Sequence, residues 1–331
     1  MTSDAPLPIA PGAVVPPGVH LGVVVVNFGS SQLVARNLAS IGWSSVPEVT
    51  VVVVDNWSSA AERRAITELA RRHCWELVAT DANLGFGAGI NRGAAHALRR
   101  GSTHLLLLNP DVTIDATSLS RLVAFSVDHP KTLVAPKVDL PDGTAWFVDG
   151  RLDRRTGLTR STRAGEQQGP DRWLTAACLV TDRDAWDLLD GFDERYFLYW
   201  EDIDLSQRLL ELGGELAVLR EVRAVHSVRG TQRSRGRRHR YCFHMCRNRL
   251  RFAAFHLPVR DRVRWVWNAP TYMRRTVLGG WRAALRRPWR TAHAVAGTVA
   301  GAGAVTGSIV AGRSPGRAIR TSRPRAPGAS A

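Results

Sequence analysis

A chain of 331 residues is long enough to bury a full α/β core, and its four cysteines are too few for a disulfide-built scaffold, which points to a reducing compartment. The formal charge of +16 is unevenly placed: residues 1–219 carry 20 Lys and Arg against 27 Asp and Glu, whereas residues 220–331 carry 25 arginines against Glu221 and Asp261. An acidic body with a basic tail argues against reading the whole chain as a nucleic-acid-binding protein.

Residues 1–19, rich in Pro, Ala and Gly, lack the basic start and apolar centre of a signal peptide and are expected to form a disordered leader. The β-branched run His20–Phe28, stopped by Gly29-Ser30-Ser31, predicts a buried parallel strand. Helices are expected over Gln32–Ile41, residues 60–73 and Ala88–Arg100, alternating with strands over Val49–Val54, Glu76–Ala79 and His104–Leu108. That alternation predicts an α/β fold with a mostly parallel sheet and helices on both faces, where ligands sit beyond the carboxyl ends of the strands.

Asp55 and Asn109-Pro110-Asp111 stand at such strand ends. Asp55 there either accepts hydrogen bonds from a nucleoside or caps its own loop. Between them, the run Asn83–Gly93 has glycines that let the backbone approach a ligand, and a helix that aims its first amides at the same space. The glycine-rich turn of a dinucleotide fold is missing after the first strand. Proline fixes the turn before Asp111, whose oxygens suit Mg²⁺ or Mn²⁺ bridging a diphosphate.

A helix and a strand (Thr132–Val138) are expected within 119–138, then a variable loop with short strands from Asp139 to Arg172. A strand follows over Trp173–Thr181, with Ala176 and Ala177 small enough for a ligand to approach, and then a short helix over Asp182–Leu189. The stretch Gly191–Leu205 crowds carboxylates and aromatics before a helix whose apolar stripe runs Leu205, Leu209, Leu212 to a Gly213-Gly214 stop. Asp202 falls on that inward stripe, where burial raises a carboxyl and the helix N-terminus favours the anion. Such acids ligate metals or move protons, whereas Glu201 or Asp204 alone could simply complement the helix dipole. After a strand around Ala217–Leu219, His226 offers a third metal position.

Beyond Gly230 the chain turns basic. Cys242 and Cys246, with His239 and His244 nearby, read as helix packing rather than a zinc site. Trp265, Trp267, Trp281 and Trp289 lie among arginines (the first of them Arg233, Arg235, Arg237, Arg238 and Arg240), a pattern suited to an anionic membrane surface. Residues 292–311 have the length of a membrane span but are glycine-rich and weakly apolar, so packing or peripheral contact is expected.

Taken in order, Asp55, the Asn83–Gly93 loop, Asn109-Pro110-Asp111, Gly191-Phe192-Asp193-Glu194, Glu201-Asp202-Ile203-Asp204 and His226 resemble the family 2 glycosyltransferases, similar to bacterial rhamnosyl- and galactofuranosyltransferases. The resemblance covers about residues 20–257 and includes Arg247-Asn248-Arg249. It implies a GT-A fold, an αβα sandwich, as the catalytic domain, with residues 258–312 a basic helical extension and 313–331 a disordered tail. It also implies an inverting, metal-dependent transfer of a sugar, with rhamnose favoured, from a dTDP- or UDP-linked donor to a glycan or lipid-linked acceptor. The setting implied is cell-envelope polysaccharide synthesis on the cytoplasmic face of the membrane. By position, Asp55 would hold the uracil or thymine, and Asn27, Asn83, Gly85, Phe86, Gly89, Asn91 and Asn109 would line the donor site. Asp111 and His226 would hold Mg²⁺ or Mn²⁺, Asp202 would be the general base, and Trp200, Glu201 and Asp204 would meet or support the acceptor.

Two departures from the family pattern stand out. Asn109 replaces the first acid of the metal motif, and Ala60 replaces a second acid after Asp55. The QxxRW motif of processive members is absent, which implies single additions. Two other readings are a sugar-phosphate nucleotidyltransferase, which normally has a glycine-rich basic loop at the first strand, and a nucleic-acid role for the tail. The second leaves Asp111 and the Glu201–Asp204 cluster without a task.

Overall fold

The computed structural model describes residues 15–43, 46–162, 169–227 and 235–314. The leader before residue 15, the segment around Gly230 and Arg233, and the tail after residue 314 lie outside the described residues, as do the side chains of 235–239 and 281–283.

The first half alternates as expected: β1 (His20–Asn27), α1 (Ser31–Leu38), β2 (Glu48–Asp55), α2 (Ala60–Arg72), β3 (Glu76–Ala79), α3 (Phe86–Arg99) and β4 (His104–Leu108). Then come β5 (Val112–Ile114), α4 (Ala116–Asp128), β6 (Thr132–Asp139), β7 (Ala145–Phe147), β8 (Gly150–Asp153), β9 (Leu158–Ser161), β10 (Arg172–Trp173), β11 (Cys178–Asp182), α5 (Arg183–Leu189), α6 (Glu201–Glu211) and β12 (Glu215–His226). The main sheet has the order β3-β2-β1-β4-β11-β6-β12-β5, with β7 on the edge of β6, and β10-β8-β9 form a small second sheet. Strands β3, β2, β1 and β4 are parallel, while β11 runs antiparallel to both β4 and β6.

The valine runs work because both sheet faces are covered. Val23 and Val25 of β1, Val51 and Val53 of β2, and Leu106 and Leu108 of β4 enter one core. Their alternates Val24 and Val26, Val52 and Val54, and Leu105 and Leu107 enter the other, beneath α3. Gly93 lets α3 settle against Val24 and Val54, since a Cβ there would meet both side chains.

Four differences from the sequence reading have physical causes. The expected strand Trp173–Thr181 breaks at Leu174–Ala177, where Leu174 N–H bonds the Ser206 hydroxyl of α6 at 3.0 Å instead of a ladder partner. The strand expected around Ala217–Leu219 continues through a register shift at Leu219 to Arg223 and reaches His226, its charged outer residues having hidden the pattern. Three-residue β5 is too short to show a period and exists by pairing with the end of β12. The described part of the leader is not loose: Val15 and Val19 are buried in the first core.

The C-terminal region is α7 (Arg235–His256), α8 (Val259–Trp267), α9 (Ala269–Tyr272), a π-helical turn (Met273–Leu278), α10 (Trp281–Arg286) and α11 (Pro288–Val310). With Tyr196, Trp200 and Ile203 these helices form a third core, to which Cys242, Cys246 and Trp265 contribute buried side chains. Both cysteines are thus packing residues, as expected. Helix α7, expected as the last piece of the catalytic domain, shares this core with the helices beyond residue 257.

Candidate active site

The donor end is built where β1 and β2 finish side by side, with Asn27 and Asp55 as register partners. Both side chains are fully buried. One Asp55 oxygen, Oδ2, pairs with Arg63 of α2, while Oδ1 is buried without a hydrogen-bond partner. A buried, unsatisfied carboxylate oxygen is costly, and an imide N–H of a pyrimidine would satisfy it. Arg63 also donates to the Thr80 carbonyl and lies 4.8 Å over the Trp57 ring. Asn27 is occupied: its Oδ1 accepts from Ser30 N–H and Oγ, and its Nδ2 donates to Glu62. It shapes the turn and leaves ligand contact to its neighbours.

Asn56, which the sequence reading passed over, pins the glycine loop. Its Oδ1 accepts from Leu84 N–H at 2.9 Å and its Nδ2 donates to the Gly85 carbonyl at 2.8 Å and to Asn83 at 3.2 Å. Asn83 Oδ1 in turn accepts from Gly85 N–H. Gly85 has φ +92°, and a Cβ there would collide with the Phe197 carbonyl, which already accepts from Phe86 N–H at 3.0 Å. Gly89 lies under Val26, and Asn91 holds the Phe192 backbone with two bonds of 2.8 Å, one given and one received. The loop residues therefore tie the donor end to the Gly191–Trp200 stretch more than they project into space.

Asp111 and His226 meet because β5 and β12 pair, with Val112 opposite His226. His226 Nε2 and Asp111 Oδ1 are 2.9 Å apart, both residues are buried, and Trp146 sets its ring edge-on to the imidazole at 4.3 Å. A carboxylate and an imidazole could hold Mn²⁺ or Mg²⁺. The imidazole's Nδ1 is buried without a partner. Among the described residues no three His, Cys, Asp or Glu side chains gather closely enough to hold a cation alone, so diphosphate and water oxygens would have to complete the shell.

The third part is the start of α6. Tyr199 and Trp200 both have left-handed backbones, φ 66° and 75°, a conformation that costs about 1–3 kcal/mol per non-glycine residue. Asn248 of α7 stabilises it by donating Nδ2 to the carbonyls of Leu198 and Tyr199, each at 2.9 Å. Trp200 is buried against Phe252 and Trp265, so its part is support. His244 stacks on Phe197, and burial beside Arg247 and Arg240 pushes its imidazole down to about 4.

The acids that follow differ sharply. Burial pushes the Asp202 carboxyl up to about 7, against backbone N–H groups of Ile203 and Ala176 that favour its anion. Its side chain is only half-buried, so a ligand can reach it. Glu201 is buried, one oxygen has no partner, and burial followed by the charge of Asp202 holds it well above the carboxylate range. Burial would raise Asp204 too, but Arg208 and His256 outweigh it and hold that carboxyl well below its usual range. Asp204 bonds Arg208 Nε at 2.7 Å and His256 Nε2 at 2.8 Å, which makes it a structural anchor.

Asp202 and the Asn109–Asp111 turn share one support. Asn109 N–H donates to the Ala177 carbonyl at 2.9 Å, and the neighbouring Ala176 N–H favours the Asp202 anion. The break between β10 and β11 thus lies beside both a carboxyl of raised pKa and the turn presenting Asp111.

Comparison with known proteins identifies the fold and the family. Residues 22–186 match the family described as Glycosyl transferase family 2. N-acetylglucosaminyl-diphospho-decaprenol L-rhamnosyltransferase of Mycobacterium tuberculosis is 28% identical over 220 residues, 58% of this chain and 71% of its own. Among solved structures, GalNAc-T7 with UDP, GalNAc and Mn²⁺ superposes with a TM-score of 0.58 at 14% identity, over 83% of this chain and 55% of that one. The mannosyltransferase PcManGT of Pyrobaculum calidifontis, in complex with GDP-Man and Mn²⁺, gives 0.51 at 16% identity over 93% and 90%. At such identities the two structures speak to the fold alone, which is GT-A. With its motifs in order on that fold, the chain belongs to glycosyltransferase family 2 and is a sugar-transferring enzyme.

Proposed function

We propose that the enzyme moves one sugar, with inversion and with the help of a divalent cation, from a dTDP- or UDP-linked donor to a lipid-linked saccharide of cell-envelope polysaccharide synthesis. The observation that carries this reading is Asp202: a reachable carboxyl of raised basicity beside the Ala176-Ala177 segment, which supports the turn that presents Asp111. Rhamnose is the favoured sugar because the mycobacterial relative is named a rhamnosyltransferase acting on a diphospho-decaprenol glycan. The basic C-terminal region supports work at the cytoplasmic face of the membrane, where a lipid-linked acceptor is presented.

Asp55 accepts the imide N–H of the pyrimidine on its unsatisfied Oδ1, and Arg63 fixes the carboxylate for that contact. Asp111 and His226 would hold the cation, which would neutralise charge on the departing diphosphate. Asp202 removes the proton from the acceptor hydroxyl as that oxygen attacks the anomeric carbon. The bond to the diphosphate breaks on the opposite face, so configuration inverts. A single ionised base suffices for this displacement. Base assistance of this kind contributes about 10²–10⁴-fold.

A panel of nucleotide sugars with a synthetic lipid-diphosphate glycan, with Mg²⁺, Mn²⁺ or chelator, tests the reading. Release of nucleoside diphosphate with a dTDP- or UDP-sugar, abolished by chelator, is the expected result. No release above background with any donor would refute it.

A further inference from the structure

Helix α8 is built inside out. It buries Arg262 and Trp265 completely, while Val259, Val263 and Trp267, one turn apart on the other side, are 48%, 53% and 85% exposed. Arg262 fastens this helix to the end of α11 by donating to Leu257 O at 2.6 Å, Ser308 Oγ at 3.1 Å and Arg313 O at 2.8 Å.

Helix α11 has the same character over a greater length. From Thr291 to Gly312 it has no Asp, Glu, Lys or Arg, and its 23 residues extend about 34 Å at the α-helical rise. One stripe, with Gly297 and Gly301 at its centre, is buried against the backbone of α7 at Phe243 and Arg247. The opposite stripe, including Val295, Ala296, Val299, Ala300 and Val310, is exposed. Leu285 of α10, just before it, is 83% exposed. By length and mean hydropathy (1.3) α11 could cross a bilayer. Its glycines, however, seat it along α7, which carries Arg240, Arg247, Arg249 and Arg251, and crossing would tear out that contact or bury those charges in lipid.

A cleft at the N-terminal end of α11 adds a second, independent feature. It is lined by Tyr241, Thr276 and Leu278 together with Arg286, Arg287 and Arg290. Arg290 donates to the Val277 carbonyl at 2.9 Å, yet its Nε is buried without a partner. Among the described residues none of the three arginines is paired with a carboxylate.

We infer that the exposed faces of α11 and α8 rest in the plane of a bilayer bearing anionic phospholipid, with the arginine cleft receiving a lipid phosphate. Two observations decide for lipid over a protein partner. The apolar stripe is uncharged along its whole length, and cations stand at its ends, in Arg286, Arg287 and Arg290 before it and Arg313 after it, where anionic headgroups would meet them. Trp267 supplies the interfacial ring. The inference deepens the reading of a lipid-linked acceptor and can fail separately from it.

The test is flotation of the full chain with phosphatidylcholine vesicles, with and without phosphatidylglycerol, at low and high salt. Three variants are compared: Val295→Glu with Val299→Glu, Trp267→Ser, and Arg286→Ser with Arg287→Ser. Thermal melting and nucleoside diphosphate release with a soluble acceptor are measured alongside. The wild type is expected to float with phosphatidylglycerol vesicles and to be weakened by salt. The valine pair is expected to lower vesicle affinity about tenfold or more, with melting and soluble turnover unchanged. Trp267→Ser should give a smaller loss, and the arginine pair should lose only the preference for anionic lipid. Equal flotation of the valine pair and the wild type would overturn the inference. So would a lipid-free dimer that the valine pair dissolves while vesicle binding is unaffected. Binding without turnover on any donor would leave the surface standing and sink the transferase reading instead.

Discussion

Two carboxylates on the first turn of α6 lie two residues apart and live in opposite worlds. The side of the helix facing the β10–β11 break gives Asp202 only backbone N–H groups, so burial dominates and its carboxyl rises to about 7. Asp204 meets the guanidinium of Arg208 on its own helix and the imidazolium of His256 on α7, and its deeper burial ends in a firmly ionised anchor. His256 answers in kind: burial disfavours its charge, but hydrogen bonds to Asp204 and Glu211 push it up to about 9. Position on a helix therefore does not decide whether an acid works or holds. The charge of what faces it does.

Substitutions with the same change of chemistry should separate the two. Asp202→Asn is expected to lower turnover by about 10²–10⁴-fold while donor affinity stays within about threefold. Its melting temperature should hold or rise, because a raised buried carboxyl is exchanged for a neutral group. Asp204→Asn should instead cost about 3–5 kcal/mol in denaturant unfolding, because Arg208 and His256 lose their shared anion. If Asp204→Asn unfolds no more easily than wild type, the comparison collapses.

Smaller effects sharpen it. Asp111→Ala should remove the cation dependence of donor binding measured by calorimetry, at a loss of about tenfold or more in affinity. Asn248→Ala should cost about 1–3 kcal/mol by removing a hydrogen bond from each of two carbonyls, and about tenfold in turnover as the left-handed turn beneath Asp202 relaxes. The pH dependence of stability follows from the anchor. The depressed Asp204 contributes above the ordinary carboxylate range and is lost as pH falls through its folded value. The raised His256 contributes below the ordinary imidazole range and is lost as pH rises through about 9. Melting temperature should accordingly be highest between those limits.

Much of the first half was legible in the sequence because its strands are runs of Val and Leu and its candidate site residues stand at their ends. Asp55, Asp111 and Asp202 are single carboxylates following strong periodic signals. His226 was legible as a candidate, although the strand that delivers it was not, since Arg220, Glu221 and Arg223 break the alternation. The partners were hidden because partnership is a tertiary property. Nothing in the spacing of Arg63 shows that it takes one oxygen of Asp55, and nothing in Asn248 shows that it holds Tyr199. Asn27 and Asn91 carried the right residue type for ligand contact, yet their amides are bonded to the protein's own backbone and side chains. In the tail, arginine and tryptophan composition suggested a surface, but Trp265 is core and Trp267 is not, a difference set by one helical turn.

Whether burial tunes Asp202 as a base is read from the pH dependence of kcat/KM for sugar transfer. A group that must lose its proton to act gives a rate that rises with pH and levels above its pKa, about 7 for Asp202. A rise of about tenfold per pH unit is expected on the acid side, bending near that value, with the bend moved or abolished in Asp202→Glu. A profile flat down to the ordinary carboxylate range, or one that Asp202→Glu leaves unchanged, would contradict it.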